Sequence, residues 1–251
     1  MGDDVDMGIR RLLLPPWQLA CRSARALEFA VMPRSCVFCG MKRQHREASI
    51  CPGCENDLPW IRERCPRCAR PLAAMPAAGV VCAECQDRPP PFEAAVAPLA
   101  FEFPVDAAIR LFKFHRRLQY ADAFGELLCR SFAELPCDID ALLPVPLHWL
   151  RHGVRGFNQA AELCRPLQRA SGLPLVRNVS RRRRTPYQSG LGARERRRNL
   201  AGAFDVRGGI QANHVLLVDD VITTGETCSQ LARVLLAHGA ARVSVLAVAR
   251  A

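Results

Sequence analysis

The chain has 251 residues with 35 Lys and Arg against 24 Asp and Glu, so its formal net charge is +11. That length is enough for a sizeable core in one domain or two, and the positive charge favours polyanionic partners over basic ones. Because the chain begins Met-Gly-Asp-Asp-Val-Asp and has no run near the roughly twenty apolar residues of a membrane helix, we expect no signal peptide, no membrane span and a cytoplasmic protein.

The first 35 residues predict a short helical lead-in. From Trp17 to Phe29 apolar residues recur at roughly helical spacing, and Pro33 ends the pattern. The role of this segment is open.

Eight of the thirteen cysteines form four Cys-x-x-Cys pairs between residues 36 and 85. Eight thiolates at this spacing are enough for two tetrahedral zinc sites. Disulfides would need an oxidising compartment, and a redox Cys-x-x-Cys motif would not need four copies. We predict a double zinc ribbon over residues 36–88 that binds two structural zinc ions. The sequence leaves open which pairs share an ion, and sequential sharing would group Cys36, Cys39, Cys51 and Cys54 apart from Cys65, Cys68, Cys82 and Cys85.

Few apolar residues lie between these pairs, so the metal is expected to form the core of this region. The other five cysteines are expected to be small buried hydrophobic residues: Cys21, Cys129, Cys137, Cys164 and Cys228. Pro89, Pro90 and Pro91 predict a stiff linker, and a second domain is expected over residues 92–251.

Beyond the linker, strand and helix patterns alternate. Strands are predicted near 96–103, 141–146, 175–176, 215–218 and 243–248, and helices near 105–114, 120–135, 158–170 and after residue 227. Asn158 is expected to cap the third of these helices, and Gly172 to follow its end. Such alternation is typical of an α/β fold with a parallel sheet and right-handed crossovers.

Two basic segments are candidates for anion binding. The loop over 144–159 carries Arg151 and Arg155 between a predicted strand and a predicted helix. Residues 178–203 show little apolar periodicity and predict a long mobile loop of the functional kind. Its arginines are Arg181, Arg182, Arg183, Arg184, Arg194, Arg196, Arg197 and Arg198. A solvated surface is the alternative for any single arginine, but we interpret the loop as a whole as functional.

The run from Val215 to Thr227 carries the most specific chemistry. Four apolar residues predict a strand covered on both faces, and Asp219 and Asp220 stand at its carboxyl end, where ligands of open α/β sheets bind. Hydroxyl residues and Gly225 then precede a helix whose first N–H groups can bind phosphate. The two carboxylates suit a ribose diol or a hard cation such as Mg²⁺. The alternative is a pair of exposed acids beside an ordinary helix cap, whereas a Walker-type loop is excluded because no Gly-x4-Gly-Lys occurs.

This thirteen-residue run resembles the phosphoribosyl-pyrophosphate (PRPP) loop of type I phosphoribosyltransferases, which grips the ribose and its 5-phosphate. The resemblance implies that Asp219 and Asp220 are the catalytic carboxylates, acting directly or through Mg²⁺. It also implies that PRPP is bound by Val221, Ile222, Thr223, Thr224, Gly225, Glu226 and Thr227. Glu226 departs from the small residue usual in the family, and its carboxylate would oppose phosphate binding unless it points away.

Four features in order resemble the ComF family, also called competence protein F or GntX-like. They are the cysteine pairs, Lys113-Phe114, the run over 155–159, and the stretch from Gln188 to Asn199 ahead of the PRPP loop. The resemblance covers residues 36–250 and implies a double zinc ribbon, a type I phosphoribosyltransferase-like domain and an association with DNA uptake in natural transformation. It further implies that Arg151 and Arg155 bind pyrophosphate and that the mobile loop closes over it.

Three functions remain open on the sequence. The first is a PRPP-dependent pentosyltransferase acting on a nucleobase or a related nitrogen nucleophile. The second is a module for single-stranded DNA, with the PRPP site as a regulator and the backbone held by Arg181, Arg182, Arg183, Arg184, Arg196, Arg197 and Arg198. The third is a docking surface for a DNA-uptake helicase or another uptake protein. The sequence identifies neither an acceptor nor an oligomeric state.

Overall fold

The computed structural model describes residues 35–42, 49–74, 80–147, 156–182 and 202–251. The predicted lead-in, Arg151, Arg155 and the arginines between 183 and 198 fall outside these ranges. Within them, no helix has the length and apolar character needed to cross a membrane.

A parallel sheet forms the centre of the fold, as the alternating pattern predicted. Its strand order is β1 (Ala94–Val96), β7 (Arg242–Arg250), β6 (His214–Ile222) and β3 (Ala141–Pro144), and β2 (Leu99–Ala100) pairs with the last residues of β7. On the side of β3 away from β6, Leu175 forms an isolated parallel bridge with Leu142. Most residues of β6 and β7 are buried, because both faces of the sheet are covered.

The two faces of the sheet are covered by different elements. One face carries α3 (Val105–His115), α4 (Gln119–Ser131) and α5 (Gln159–Ser171), and the other carries α6 (Glu226–Ala237) with the antiparallel pair β4 (Val179–Arg181) and β5 (Phe204–Val206). Alternate residues of β6 divide between the two hydrophobic clusters, with Leu216 and Val218 on the α3–α5 side and Val215 and Leu217 on the α6 side.

The cysteine-rich region packs directly on this α/β core. It contains two short helices, α1 (Pro52–Asn56) and α2 (Ala83–Asp87), each of which begins directly after a cysteine. The N–H of Ile61 donates to the carbonyl of Pro98 at 2.8 Å, and the N–H of Ala100 donates to the carbonyl of Pro59 at 2.8 Å. The chain after α1 therefore runs along the sheet edge formed by β1 and β2.

Two strand predictions were wrong in extent. The strand expected over 96–103 is two short strands, since Pro98 lies between them and lacks the N–H that a continuous ladder would need. The strand expected over 215–218 continues to Ile222, because β7 runs beside it and pairs Ile222 with Arg250. The acidic pair therefore lies inside β6 rather than after it.

Other local predictions were confirmed in part. The side chain of Asn158 accepts from the N–H of Ala160 at 3.1 Å, and Gly172 ends α5 with φ 72°, so both predicted caps are confirmed. The helix expected over 120–135 is α4 followed by a 3₁₀ turn, Phe132–Glu134. The loop expected over 178–203 is wrong at its start, because Val179–Arg181 pair with β5 as a strand.

The cysteines outside the four pairs are not uniformly buried. Cys164 and Cys228 are buried as expected, but Cys129 is only half-buried and Cys137 is exposed. The prediction was wrong for Cys137 because it lies in the turn between the 3₁₀ segment and β3, and such connections run over the surface.

Candidate functional site

The two carboxylates of β6 lie at the carboxyl end of the sheet. Pro144, the last residue of β3, pairs with Val218, so Asp219 and Asp220 extend beyond the neighbouring strand. This is the edge at which ligands of parallel α/β sheets bind. Asp220 is buried and Asp219 is half-buried. The fold therefore places both side chains where the sequence analysis expected a ligand.

Lys113 supplies a positive charge to this acidic pair. Its Nζ lies 2.9 Å from Oδ1 of Asp220, and the exposed fractions of the two side chains are 22% and 9%. Lys113 lies in the last turn of α3, and α3 packs on the face of the sheet that Leu216 and Val218 share. Sequence analysis had singled out Lys113 only as a family marker and had not assigned it a partner.

The protonation of Asp219 is strongly affected by its surroundings. Burial and the adjacent charge of Asp220 raise the pKa of the Asp219 carboxyl to about 7, although Lys113 and Arg181 oppose the shift. A bound cation would offset the repulsion between the two adjacent carboxylates that raises the pKa of Asp219, and carboxylate oxygens are ligands that Mg²⁺ prefers. The donor set therefore fits a hard divalent cation.

The loop after the carboxylates carries two hydroxyl side chains and leads into the start of α6. Gly225 has φ 74° and lies directly before α6, a left-handed conformation that favours glycine. The N–H of Glu226 is directed toward Oγ1 of Thr224 at 3.4 Å, and both Thr223 and Thr224 are exposed. The first N–H groups of a helix lie at its positive end and attract phosphate. Hydroxyl and amide donors thus converge on the start of α6.

The carboxylate of Glu226 points away from this cradle. Its Oε1 accepts a hydrogen bond from Nε2 of Gln230 at 2.8 Å and lies 3.8 Å from Nη1 of Arg233. Both partners follow it along α6, and the Glu226 side chain is only 14% exposed. The departure from the family pattern therefore places no free negative charge against a phosphate at the loop.

Arg250 supports the loop from the end of β7. Its guanidinium is buried, with Nη1 donating to the carbonyl of Ile222 at 3.1 Å and also to the carbonyl of Thr223. Sequence analysis missed this residue. The available signal was an arginine at the end of a strand that is otherwise apolar apart from Ser244 and Arg242.

The eight paired cysteines form two clusters of four. In each cluster the sulfur atoms all lie within 4.8 Å of one another, and the groups are Cys36, Cys39, Cys51 and Cys54, then Cys65, Cys68, Cys82 and Cys85. The Sγ atoms of Cys39 and Cys51 are 3.8 Å apart, and those of Cys68 and Cys82 are 3.7 Å apart. Tetrahedral zinc with Zn–S near 2.3 Å requires sulfurs about 3.8 Å apart. The predicted sequential pairing is confirmed, and both clusters fit structural zinc.

Backbone N–H groups favour the thiolate form of one cysteine in each cluster. The N–H of Cys51 donates to Sγ of Cys36, and the N–H of Cys82 donates to Sγ of Cys65, each at 3.3 Å. Burial raises the pKa of these two sulfurs, but the backbone donors outweigh it and bring Cys36 to about 6 and Cys65 to about 7. Thiolate is the form that binds metal.

The end of the predicted pyrophosphate loop is anchored to α3. The Phe157 ring lies 5.5 Å from that of Phe112, measured between centroids. Gly156 has φ 79°, and a Cβ there would lie 2.6 Å from Nη2 of Arg116, so a larger residue would displace the guanidinium. Asn158 also donates from Nδ2 to the carbonyl of Val145 at 3.1 Å. These contacts fix the residues that follow Arg151 and Arg155.

The described arginines of the basic segment have partners on β5. Arg181 is 8% exposed, and its guanidinium lies 5.5 Å from the centroid of the Phe204 ring. Arg182 pairs with Asp205 at 2.8 Å. Arg181 is buried and lies near enough to Asp219 for its charge to lower the pKa of that carboxyl, whereas the Arg182 side chain is 68% exposed.

The fold and site define a class: a parallel α/β protein with an acidic pair at the carboxyl edge of its sheet and two four-cysteine clusters in its N-terminal part. A family model for the double zinc ribbon domain matches residues 27–86. The DNA utilization protein YhgH of Escherichia coli O157:H7 is 34% identical over 228 residues, which cover 87% of this chain and 98% of the relative. Competence protein F of Haemophilus influenzae is 28% identical, with coverage of 86% and 96%. The chain belongs to the ComF family, as its motifs indicated.

Two solved structures align with about half of this chain. The glutamine PRPP amidotransferase from B. subtilis, complexed with ADP and GMP, aligns with a TM-score of 0.33 and 19% identity over 49% of this chain and 25% of that one. A purine phosphoribosyltransferase from Pyrococcus horikoshii aligns with a TM-score of 0.31 and 18% identity over 52% of this chain and 82% of that one.

Proposed function

We propose that the protein binds PRPP, or ribose 5-phosphate, together with Mg²⁺ at the loop over 219–227. The observation that carries the proposal is the adjacency of Asp219 and Asp220 to the phosphate cradle at Gly225, with Glu226 turned away. In this arrangement the N–H groups at the start of α6 hold the 5-phosphate. The carboxylates hold the ribose hydroxyls or the cation.

Transfer of the phosphoribosyl group to a nitrogen nucleophile is the reaction that such binding would serve. The C1–O bond of PRPP breaks as the acceptor nitrogen bonds to C1, pyrophosphate leaves, and the nitrogen loses its proton to water. Asp219 and Asp220 would hold Mg²⁺, which offsets the charge of the departing pyrophosphate. Lys113 keeps Asp220 in place, and the loop fixes the ribose so that C1 stays oriented.

The test is calorimetry of PRPP binding in the presence of Mg²⁺. Replacing Asp219→Asn and Asp220→Asn together should abolish binding, because the amides neither balance the cation nor accept as strongly from the diol. The matched control is Asp122→Asn, since Asp122 is an exposed carboxylate on α4. Unchanged affinity in the double variant would contradict the assignment. In the intact protein, pyrophosphate release with one member of a panel of bases would identify the acceptor.

Single-stranded DNA is the second candidate ligand, supported by the charge of +11 and by relatives named for DNA utilization and competence. Alanine at Arg182, Arg183 and Arg184 should weaken binding and flatten its salt dependence, by about 0.7 in the log–log slope per lost phosphate contact. Fluorescence anisotropy with a labelled oligonucleotide measures this. No binding even at low salt would leave the enzyme hypothesis and the docking of an uptake helicase.

We place this activity in the cytoplasm, where eight reduced thiolates would remain available to metal.

A further inference from the structure

Arg250 joins the phosphate loop to the second cysteine cluster. Its Nη1 donates to the carbonyls of Ile222 and Thr223, and its Nε donates to the carbonyl of Cys68 at 3.2 Å. The residue is only 5% exposed. One side chain thus holds backbone from two segments far apart in sequence, and both segments belong to a candidate ligand site.

The segments that Arg250 joins are packed together on one side and separated by a cavity on the other. Ala69, next to Cys68, is fully buried in the hydrophobic cluster that also contains Ile222. Farther out, the two segments separate around a cavity of 390 Å³ lined by Cys68, Cys85, Gly225 and Arg250, among others. Packing does not fill the space between the cysteine cluster and the start of α6, and the Arg250 hydrogen bonds join the two segments beside this cavity.

The first cysteine cluster has no equivalent route to the loop among the described residues. It packs on α4, where the Phe38 ring contacts Tyr120 at 5.9 Å between centroids. The N–H and Oγ of Ser49 donate to the Glu126 carboxylate at 2.8 and 2.7 Å. The protein therefore contains an internal control, because two clusters with the same ligands have different neighbours.

We infer that Arg250 is a positioning residue that couples metal binding at the second cysteine cluster to anion binding at the phosphate loop. Zinc on Cys65, Cys68, Cys82 and Cys85 fixes the knuckle that presents the Cys68 carbonyl. Loss of that zinc frees the knuckle, and Arg250 loses its Nε partner. The carbonyls of Ile222 and Thr223 then lose a fixed anchor directly before the N–H groups that bind phosphate.

The inference concerns regulation of the site in the proposed function and rests on it for the ligand alone. Because coupling between two sites is reciprocal, ligand at the loop should tighten zinc at the second cluster by the same factor that zinc tightens the ligand. We expect this factor to be about tenfold, within the range usual for coupled sites.

The experiment compares Cys85→Ser with Cys54→Ser in the full chain. Both residues are the fourth cysteine of their cluster, and each lies in a short helix, α2 or α1. Hydrogen exchange of the amides over 222–227 gives a readout without any ligand, and calorimetry with ribose 5-phosphate and Mg²⁺ gives the second. Cys85→Ser should speed exchange in the loop and weaken ribose 5-phosphate binding about tenfold, whereas Cys54→Ser should change neither by more than about twofold.

Arg250→Lys separates coupling from a merely structural role. It should keep two zinc ions per chain by elemental analysis, yet speed exchange in the loop, because an ammonium cannot span the carbonyls of Cys68, Ile222 and Thr223 as the guanidinium does. In the Arg250→Lys background, Cys85→Ser should add less than about a twofold further loss of affinity, since the two changes break one connection.

Equal effects of Cys85→Ser and Cys54→Ser on loop exchange would overturn the inference, as would unchanged loop exchange in Arg250→Lys. If Cys85→Ser does not fold, loop exchange in Arg250→Lys still tests the inference, because unchanged exchange would overturn it. If wild-type protein binds no ribose 5-phosphate while its loop exchange follows the second cluster, the proposed function fails and the coupling stands.

Discussion

Charged groups gather at both ends of the parallel sheet, but they are arranged in opposite ways. At the amino end, the buried His214 ring contacts Asp138 at 3.1 Å through Nδ1 and Ser244 at 2.9 Å through Nε2, and Arg242 pairs with Asp138. At the carboxyl end, two adjacent carboxylates face Lys113, and the pKa of Asp219 is raised to about 7 by burial and by Asp220. Opposite charges alternate at one end, while like charges adjoin at the other.

This difference separates a stabilising cluster from a candidate binding cluster. At the amino end, Asp140 also accepts from the N–H groups of Asn213 and His214, at 2.8 and 3.0 Å, so the network is complete within the protein. At the carboxyl end the arrangement costs stability unless a cation or ligand joins it, and such strain is typical of functional sites. Removing a partner should therefore destabilise the amino end, whereas neutralising one carboxylate should stabilise the carboxyl end.

Removing zinc should have the largest effect and should distinguish the two ends. Elemental analysis should find two zinc ions per chain, and chelation should unfold residues 36–85, because metal binding supplies much of their folding free energy. Hydrogen exchange should then rise over 222–227, which Arg250 links to the second cluster, and stay slow over 213–215. Restoring zinc is the control. Fewer than two zinc ions, or equal loss of protection at both ends, would contradict this account.

His214→Ala should destabilise the protein by about 3 kcal/mol, because it leaves a cavity and removes the partner of Ser244. Urea unfolding measures the change, and His115→Ala at an exposed position of α3 is the matched control. A loss below about 1 kcal/mol would mean that the amino-end network contributes little.

His214 should also lower the free energy of unfolding at acid pH. Burial lowers the pKa of its imidazole despite the nearby Glu93 and Asp140. Above the unfolded pKa, near 6.5, the ring is neutral in both states and its contribution is intact. As the pH falls below that value toward the lower folded pKa, the unfolded chain binds the proton first and stability declines. Wild-type stability should fall over this window, and the His214→Ala variant should show a shallower decline in the same urea series.

Asp219→Asn should stabilise the protein at pH 8 by about 2 kcal/mol. The raised pKa means that Asp219 favours folding below its unfolded value, near 3.9, and that this advantage is lost as pH rises through about 7. Asparagine keeps an acceptor for the N–H of Asp220, now at 2.9 Å, without the charge. The gain should vanish near pH 4. A destabilised variant at pH 8 would show that the carboxyl end is not strained.

Lys113→Gln should have the smallest effect, weakening PRPP binding in the presence of Mg²⁺ by about threefold to tenfold in calorimetry. The variant removes the cation 2.9 Å from Asp220 and leaves the pair less well oriented. Arg110→Gln, one turn earlier and 63% exposed, is the control. Equal PRPP affinities in Lys113→Gln and Arg110→Gln would show that Lys113 does not contribute to the site.

The sequence predicted the parts of this site that are contiguous in the chain. The cysteine spacing was enough to predict both clusters, and the run through Thr227 was enough to place carboxylates before a helix start. The orientation of Glu226 was also accessible, because Gln230 lies four residues later, on the same face of α6.

The remaining contacts depend on tertiary structure. Lys113 meets Asp220 because α3 belongs to the hydrophobic cluster on the face of the sheet that Leu216 and Val218 share, and Arg250 meets Cys68 across 182 residues of chain. β4 pairs with β5, which lies beyond an arginine-rich stretch of the sequence. The sequence of β4, Val-Ser-Arg, is too short and polar to indicate a strand. Spacing along a chain does not encode such contacts.

The most direct measurement is the crystal structure of the protein with ribose 5-phosphate and Mg²⁺. The account predicts phosphate against the N–H groups at the start of α6, and ribose or cation within bonding distance of Asp219 and Asp220. The amino end offers a competing groove of 640 Å³ lined by Arg177 and Arg207, among others. Ligand in that groove, with the loop over 219–227 unliganded, would contradict the account.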